Sequence, residues 1–262
     1  MERNLLRRFY VDALSVKVFA DRKAMGAEAA ADCGRAIRKV LERQRICRMI
    51  FAAAPSQNEL LAGLLHAEDI DWSRIHAFHM DEYVGLPDEA AQRFGIFLRD
   101  RLFGKLPFGK VEYLAPRAKM DTHAIAEEIE RYSALIGEAP VDIVCLGIGE
   151  NGHIAFNDPG VADFNDPAKV KEVELDGKCR LQQVHDGCFP DLDAVPQRAL
   201  SLTIPALMSG GRLFCVVPEP TKAQAVREML KGPISEQCPA SILRRHHDCT
   251  LYLDAESAGD RP

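Results

Sequence analysis

Three short stretches carry the residues whose types and spacing could do chemistry. In HMDEYVGLP two carboxylates, Asp81 and Glu82, follow an apolar run and precede Tyr83, Gly85 and Pro87. If that run is a strand, one carboxylate can point into a cleft while its neighbour faces away or caps; Asp81 is expected to do the chemistry and Glu82 to contact substrate. A carboxylate at the mouth of a cleft can take a proton from carbon next to a carbonyl, provided partial burial raises its pKa toward neutrality. In GIGENGHIAFNDP, His153 stands among Gly147, Gly149 and Gly152, residues that let a backbone approach a ligand closely. Imidazole is the side chain best suited to proton traffic, and Asp158, five residues on, could accept a hydrogen bond from one ring nitrogen and hold the other toward a substrate. In PEPTKAQAVREML, Lys222 opens a helix. An ammonium added to free backbone N–H groups there suits an anion such as a phosphate. Each residue also has a plainer reading: a cap or surface carboxylate, a satisfied structural histidine, a solvated lysine.

The elements that must position these residues follow from apolar periodicity. Residues 22 to 44 are rich in helix formers with apolar positions at helical spacing. CRMIFAAA at 47 to 54 reads as a buried strand ended by Pro55. SQNELLAGLL then offers Ser56 as N-cap and Glu59 as the far half of a capping box. The same unit recurs: IHAFHM at 75 to 80 ends at Asp81, VDIVCLGIG ends in the His153 loop, RLFCVVPE at 212 to 219 leads into the Lys222 helix, and CTLYLDAE at 249 to 256 is the last strand. Helices at about 91 to 103 and 121 to 136, and a short one near 203 to 208, fill the gaps. Alternating strands and helices predict one α/β domain over residues 1 to 262, a doubly wound and mostly parallel sheet with helices on both faces. Ligands of such sheets bind at the carboxyl ends of strands near a topological switch point. The candidate residues all fall on strand ends. The segment from about 160 to 198 is charged and aperiodic, and is expected to be a lid rather than a spacer, the alternative being a surface excursion with a short hairpin.

Composition removes several classes of function. With 47% hydrophobic and 27% charged residues the chain is an ordinary globular protein, and no window has the apolar length of a membrane span. The N-terminal MERNLLRRFYVDAL lacks the apolar region of a secretion signal, so a cytoplasmic location is the default expectation. A net charge of −6 argues against a nucleic-acid partner. The eight cysteines show no CxxC pair, which makes most of them core thiols. His246 and His247 beside Asp248 and Cys249 diverge as adjacent side chains do, and no metal is expected.

Taken together, HMDEYVGLP, LGIGENGHIAFNDP, VPQRALSLTIPAL, PEPTKAQAVREML and PASILRRHHDCTLYLD resemble the glucosamine-6-phosphate deaminase (isomerase) family, in order from about residue 15 to the C-terminus. The related 6-phosphogluconolactonases share the fold, but their histidine loop usually continues TASLFP, where this chain has IAFNDP. The resemblance implies a Rossmann-like fold and conversion of glucosamine 6-phosphate and water to fructose 6-phosphate and ammonia, without metal or organic cofactor. By that resemblance Asp81 is the base that moves a proton between C2 and C1, His153 assists ring opening, Asp158 takes the place of the glutamate that orients the histidine, and Lys222 binds phosphate. Homo-oligomers occur in the family, which leaves a homo-oligomer open here.

The departures are as informative. Asn151 stands where many members have aspartate; an amide can orient but cannot take a proton. Aspartate at 158 is one methylene shorter than glutamate, which predicts a lengthened or broken hydrogen bond to His153. The turn AAAPSQNEL at 52 to 60 replaces a Gly- and Thr/Ser-rich phosphate cradle, leaving Ser56, Gln57 and Asn58 as its polar contacts. The nearest candidate for the lid's phosphate-binding arginine is Arg180, although a two-residue insertion before Phe189 leaves that correspondence open. Residues for allosteric regulation have no equivalents. Lactone hydrolysis, with His153 activating water, and a sugar-phosphate-binding protein without chemistry are the competing expectations.

Overall fold

The computed structural model describes residues 4–116 and 119–259. The chain opens with a hairpin, β1 (Leu5–Val11) and β2 (Leu14–Phe19), followed by α1 (Arg22–Leu41), β3 (Cys47–Phe51) and α2 (Asn58–Leu65). Next come β4 (Ile75–His79), β5 (Asp81–Tyr83), α3 (Phe94–Leu98) continued by a π-helical turn Arg99–Phe103, β6 (Lys110–Glu112), α4 (Thr122–Gly137) and β7 (Ile143–Leu146). The remainder is β8 (Val170–Glu174), α5 (Gly177–His185), β9 (Arg198–Leu202), α6 (Ile204–Met208), β10 (Arg212–Val217), α7 (Ala223–Lys231) and β11 (Cys249–Asp254).

Eight strands form the main sheet in the order β1-β2-β11-β10-β7-β3-β4-β6, parallel throughout except for the β1–β2 hairpin. Alternation along each strand feeds two separate cores, as period-2 side chains must when both faces are covered. Ile143, Cys145, Phe214 and Val216 pack with α1 and α2 on one face. Val144, Leu146, Cys215 and Val217 pack with α4, α6 and α7 on the other. The expected doubly wound sheet is therefore present. Seven of the eight cysteines are buried and none is paired in a disulfide.

From β3 the chain winds outward through β4 to β6, then returns to lay β7 on the opposite side of β3. That reversal opens a crevice between the carboxyl ends of β3 and β7. Segment 160–198 differs from the expected irregular loop, because β8 pairs antiparallel with β9, which pairs antiparallel with β5 in a second three-stranded sheet, and α5 stands between β8 and β9 in sequence. Among the described residues no helix is long and apolar enough to cross a membrane.

Candidate active site

The crevice between β3 and β7 is a narrow cleft walled by residues 52–54, 147–149 and 155–156 with Ser56, Gln57, Met80, Asp81, Phe94, His153, Gln182 and Gln183. Asp81 reaches it because β5 pairs with β9, Asp81 opposite Ser201 and Glu82 opposite Leu200, and successive side chains leave opposite faces. The Asp81 carboxylate takes no hydrogen bond from the described protein, and burial, then the nearby Glu82 charge, raise its pKa well above the usual aspartate value.

The backbone under Asp81 is pinned. His79 Nδ1–H donates to the Asp81 carbonyl at 2.9 Å, and its Nε2 accepts from the Leu114 N–H at 3.0 Å. The tautomer is thereby fixed as the neutral Nδ1–H form, and burial drives the His79 pKa down to about 4. Tyr132 Oη accepts from the His79 N–H at 2.9 Å and donates to the His79 carbonyl at 2.8 Å.

Glu82 belongs elsewhere, which corrects its expected place among the substrate contacts. Its carboxylate accepts from the N–H groups of Tyr83, Phe94 and Gly95 at 3.0, 3.1 and 3.0 Å and lies 3.7 Å from the Arg93 guanidinium. Burial raises it to about 7, against the pull of those donors. It lines a different, open pocket, with Arg93, Arg99 and Tyr113, that includes neither Asp81 nor His153.

On the facing wall, the 147–158 loop builds a buried polar cluster. His153 Nδ1 lies 2.9 Å from Asp158 Oδ1 and 2.7 Å from Asn151 Oδ1. Asn151 Nδ2 donates to Asp158 Oδ1 at 2.9 Å and to Asp176 Oδ2 at 3.0 Å, and the Asp176 N–H donates to Asp158 Oδ2 at 3.2 Å. The expected loss of the carboxylate–imidazole hydrogen bond through the shorter aspartate is therefore corrected. Asp158 is fully buried within reach of the ring, because the Asp176 N–H and Asn151 hold it there. Burial pushes the Asp158 carboxyl up, but the His153 and Asn151 contacts more than offset this and hold it below the ordinary value.

Gly149 and Gly152 make the arrangement possible. A Cβ on Gly149 would sit 2.1–2.3 Å from three imidazole atoms of His153, and Gly152 has φ +83°. Behind the ring the Cys179 thiol approaches, and the donor atoms of His153, Asp158 and Cys179 all lie within 4.8 Å of one another. A cation held by this set would displace the His153–Asp158 hydrogen bond, and burial keeps the Cys179 thiol's pKa well above its usual value. His246, by contrast, is satisfied structurally by the Gly210 carbonyl and the Asp248 N–H.

The 52–60 turn departs from its expected form. Pro55–Gln57 is a 3-10 turn, Gln57 rather than Ser56 is the N-cap of α2, and no side chain caps it. Glu59 is drawn instead to Arg22, at 2.8 Å, whose guanidinium also donates to the Pro55 carbonyl. Ser56 and Gln57 line the cleft. Asn58 does not; its Oδ1 accepts from Arg101 at 2.8 Å on an exposed face.

Arg180 is also turned away, donating to the carbonyls of Leu192 and Val195 at 2.6 and 2.9 Å in a groove beside Glu174 and Arg198. Lys222 is 2% exposed and its Nζ has no hydrogen-bond partner among the described residues. Burial lowers its pKa, and the Asp186, Glu150 and Glu219 charges oppose this. Gln182, Gln183, His79 and Asp176 escape sequence reasoning. Only Asp176 left a signal, as an acidic N-cap candidate before a helix.

The fold and the cleft define a doubly wound α/β protein with an unpartnered carboxylate and an anchored imidazole at its switch point. A family model described as glucosamine-6-phosphate isomerases/6-phosphogluconolactonase matches residues 20–252. The chain is 38% identical over 188 residues to a glucosamine-6-phosphate deaminase of Bacillus cereus, covering 72% of this chain and 68% of that one. A solved monomeric glucosamine-6-phosphate deaminase, 28% identical, superposes with a TM-score of 0.83 over 94% of this chain and 99% of its own. The 6-phosphogluconolactonase of Thermotoga maritima shares the fold at 19% identity, with a TM-score of 0.72 over 92% and 99% of the two chains. The chain belongs to the glucosamine-6-phosphate isomerase/6-phosphogluconolactonase family.

Proposed function

We propose that the chain is an amino sugar phosphate isomerase/deaminase, converting glucosamine 6-phosphate and water to fructose 6-phosphate and ammonia. The observation that carries this reading is the pairing in one cleft of Asp81, unpartnered and raised in pKa, with His153, whose Nδ1 is tied to Asp158 and Asn151. With Nδ1 so held, Nε2 is the nitrogen offered to substrate. It takes the proton of the C1 hydroxyl and returns it to the ring oxygen as the C1–O bond breaks. Asp81 then moves the C2 proton to C1 while one proton of the 2-ammonium group passes to O1, leaving a C2 iminium with a C1 hydroxyl; the iminium adds water and releases ammonia. Lys222, a buried ammonium with no hydrogen-bond partner among the described residues, is the cation for the phosphate. Helix α5, within the proposed lid at 160–198, brings Gln182 and Gln183 to the cleft wall.

The test is release of ammonia and fructose 6-phosphate from glucosamine 6-phosphate, with galactosamine 6-phosphate as the probe of C4 configuration and 6-phosphogluconolactone in parallel. Turnover of the lactone alone would transfer the assignment to a hydrolase in which His153 activates water. Thermal stabilisation by the sugar phosphates without product from any would mark a binding protein.

A further inference from the structure

Asp81 and His153 account for the proton transfers, yet two walls of the cleft are unused by them: the 52–57 turn and helix α5. These walls present amides. Among the described residues that line the cleft none is an arginine or a lysine. Arg180 is committed to two carbonyls outside it, and Lys222 is not among the lining residues and has the carboxylates of Asp186, Glu150 and Glu219 acting on it. Seating a phosphate dianion calls for cations and N–H donors, because all its free oxygens are acceptors.

Gln57 offers the opposite. It is 1% exposed, and its Nε2 is spent on the Val216 carbonyl at 3.1 Å and the Ser56 hydroxyl at 3.2 Å. Flipping the amide would set oxygen against the Val216 carbonyl, so the orientation is fixed. Its Oε1 is left as a buried acceptor without a partner among the described residues. A buried acceptor gains most from a donor; a hydroxyl brings one and a phosphate dianion does not. Gln183, nearly buried on the same cleft, makes no side-chain hydrogen bond of its own within the described protein.

We infer that this cleft also turns over the unphosphorylated 2-amino-2-deoxyhexose, whose terminal hydroxyl donates to Gln57 Oε1. The inference rests on the deaminase reading for its chemistry: glucosamine and water give fructose and ammonia, with the same bonds broken and formed as in the phosphate ester.

The experiment measures kcat/KM for glucosamine 6-phosphate and for glucosamine with the wild-type chain, Lys222→Met and Gln57→Leu, each variant checked by thermal melting. One charge-assisted hydrogen bond is worth roughly ten- to a hundredfold in binding. A seat with a single ammonium therefore gives the ester an advantage of at most about a hundredfold, whereas a seat with several cations gives about 10⁴-fold or more. Lys222→Met is expected to lower the ester-to-free-sugar ratio by about tenfold or more, and Gln57→Leu to raise it by about tenfold, since only the hydroxyl loses its acceptor. An ester advantage above about 10⁴ in the wild type overturns the inference, as does a folded Gln57→Leu chain with an unchanged ratio. If Gln57→Leu does not fold, the wild-type ratio decides alone. Turnover of the ester without the free sugar refutes this inference and leaves the deaminase reading standing; turnover of neither by the folded chain refutes both.

Discussion

The contact between Gly149 and the His153 ring gives the sharpest test of the site. Gly149 is not among the glycines with positive φ, so alanine suits the backbone and the effect of Gly149→Ala is purely steric. The new Cβ would lie 2.1 Å from the nearest imidazole atom, where ordinary contact begins at 3.4 Å, so the ring must retreat by 3.4 − 2.1 = 1.3 Å. That movement stretches the 2.9 Å contact to Asp158 and the 2.7 Å contact to Asn151 beyond hydrogen-bonding range or swings the ring about them. The buried Asp158 carboxylate then loses a charge-assisted partner, at a cost of roughly 2 kcal/mol of stability. A reacting group displaced by about 1 Å lowers turnover by roughly a hundredfold. The assay is ammonia release, with kcat and KM resolved separately, alongside a thermal melt. The control is Gly177→Ala, at a helical position where an added Cβ meets nothing within 4 Å; its kcat should match the wild type. A Gly149→Ala chain with kcat within about twofold of wild type would refute the role given to the ring position, because this is far less than the loss expected for a displaced catalytic group.

Three further outcomes are expected. Asp81→Asn should abolish deamination while retaining thermal stabilisation by glucosamine 6-phosphate, since the amide cannot take the C2 proton; undiminished turnover would remove Asp81 from the role of base. The same carboxylate acts when ionised, and its pKa is raised, so the acid limb of kcat/KM should lie well above 3.8, the ordinary aspartate value; an acid limb at or below that value would contradict the burial argument. His79 is held neutral with its pKa lowered from 6.5 to about 4, so the unfolded chain binds the extra proton first as pH falls. Stability should decline by roughly 3 kcal/mol from this residue as pH drops from 6.5 toward 4. His79→Asn keeps a donor for the Asp81 carbonyl without titrating, and urea melts at the two ends of that range should show a smaller decline; an equal decline would assign the acid sensitivity elsewhere.

The strands that carry the cleft were legible because each is a short apolar run closed by a breaker or a polar turn, as in CRMIF before Pro55 and IVCL before Gly147. Other strands were less plain. β2 (LSVKVF) is fully buried but carries Ser15 and Lys17 among its apolar residues, β1 (LLRRFYV) is an edge strand with Leu6, Arg7, Arg8 and Tyr10 exposed, and β5 and β8 are short and polar, so no uninterrupted apolar run announces them. The π-helical turn at Arg99–Phe103 likewise follows no separate sequence signal.

From sequence alone came the identity of the chemical groups and their attachment to strand ends: a carboxylate pair after β4, a histidine among glycines after β7, a lysine after β10. These are local matters, decided within a few residues by apolar runs, breakers and backbone freedom. Tertiary pairing decided the rest. The register of β5 on β9, strands some 120 residues apart in the chain, turns Asp81 into the cleft and Glu82 onto the α3 amides, and a slip of one residue would exchange them. The carbonyls of Leu192 and Val195 take Arg180 away from the site, and helix α5 supplies Gln183 instead. Asp176 and Asn151 hold Asp158 within reach of His153. Partners for a buried polar group are chosen among whatever the fold brings within about 3 Å, and a linear sequence holds no record of those distances until the elements have packed.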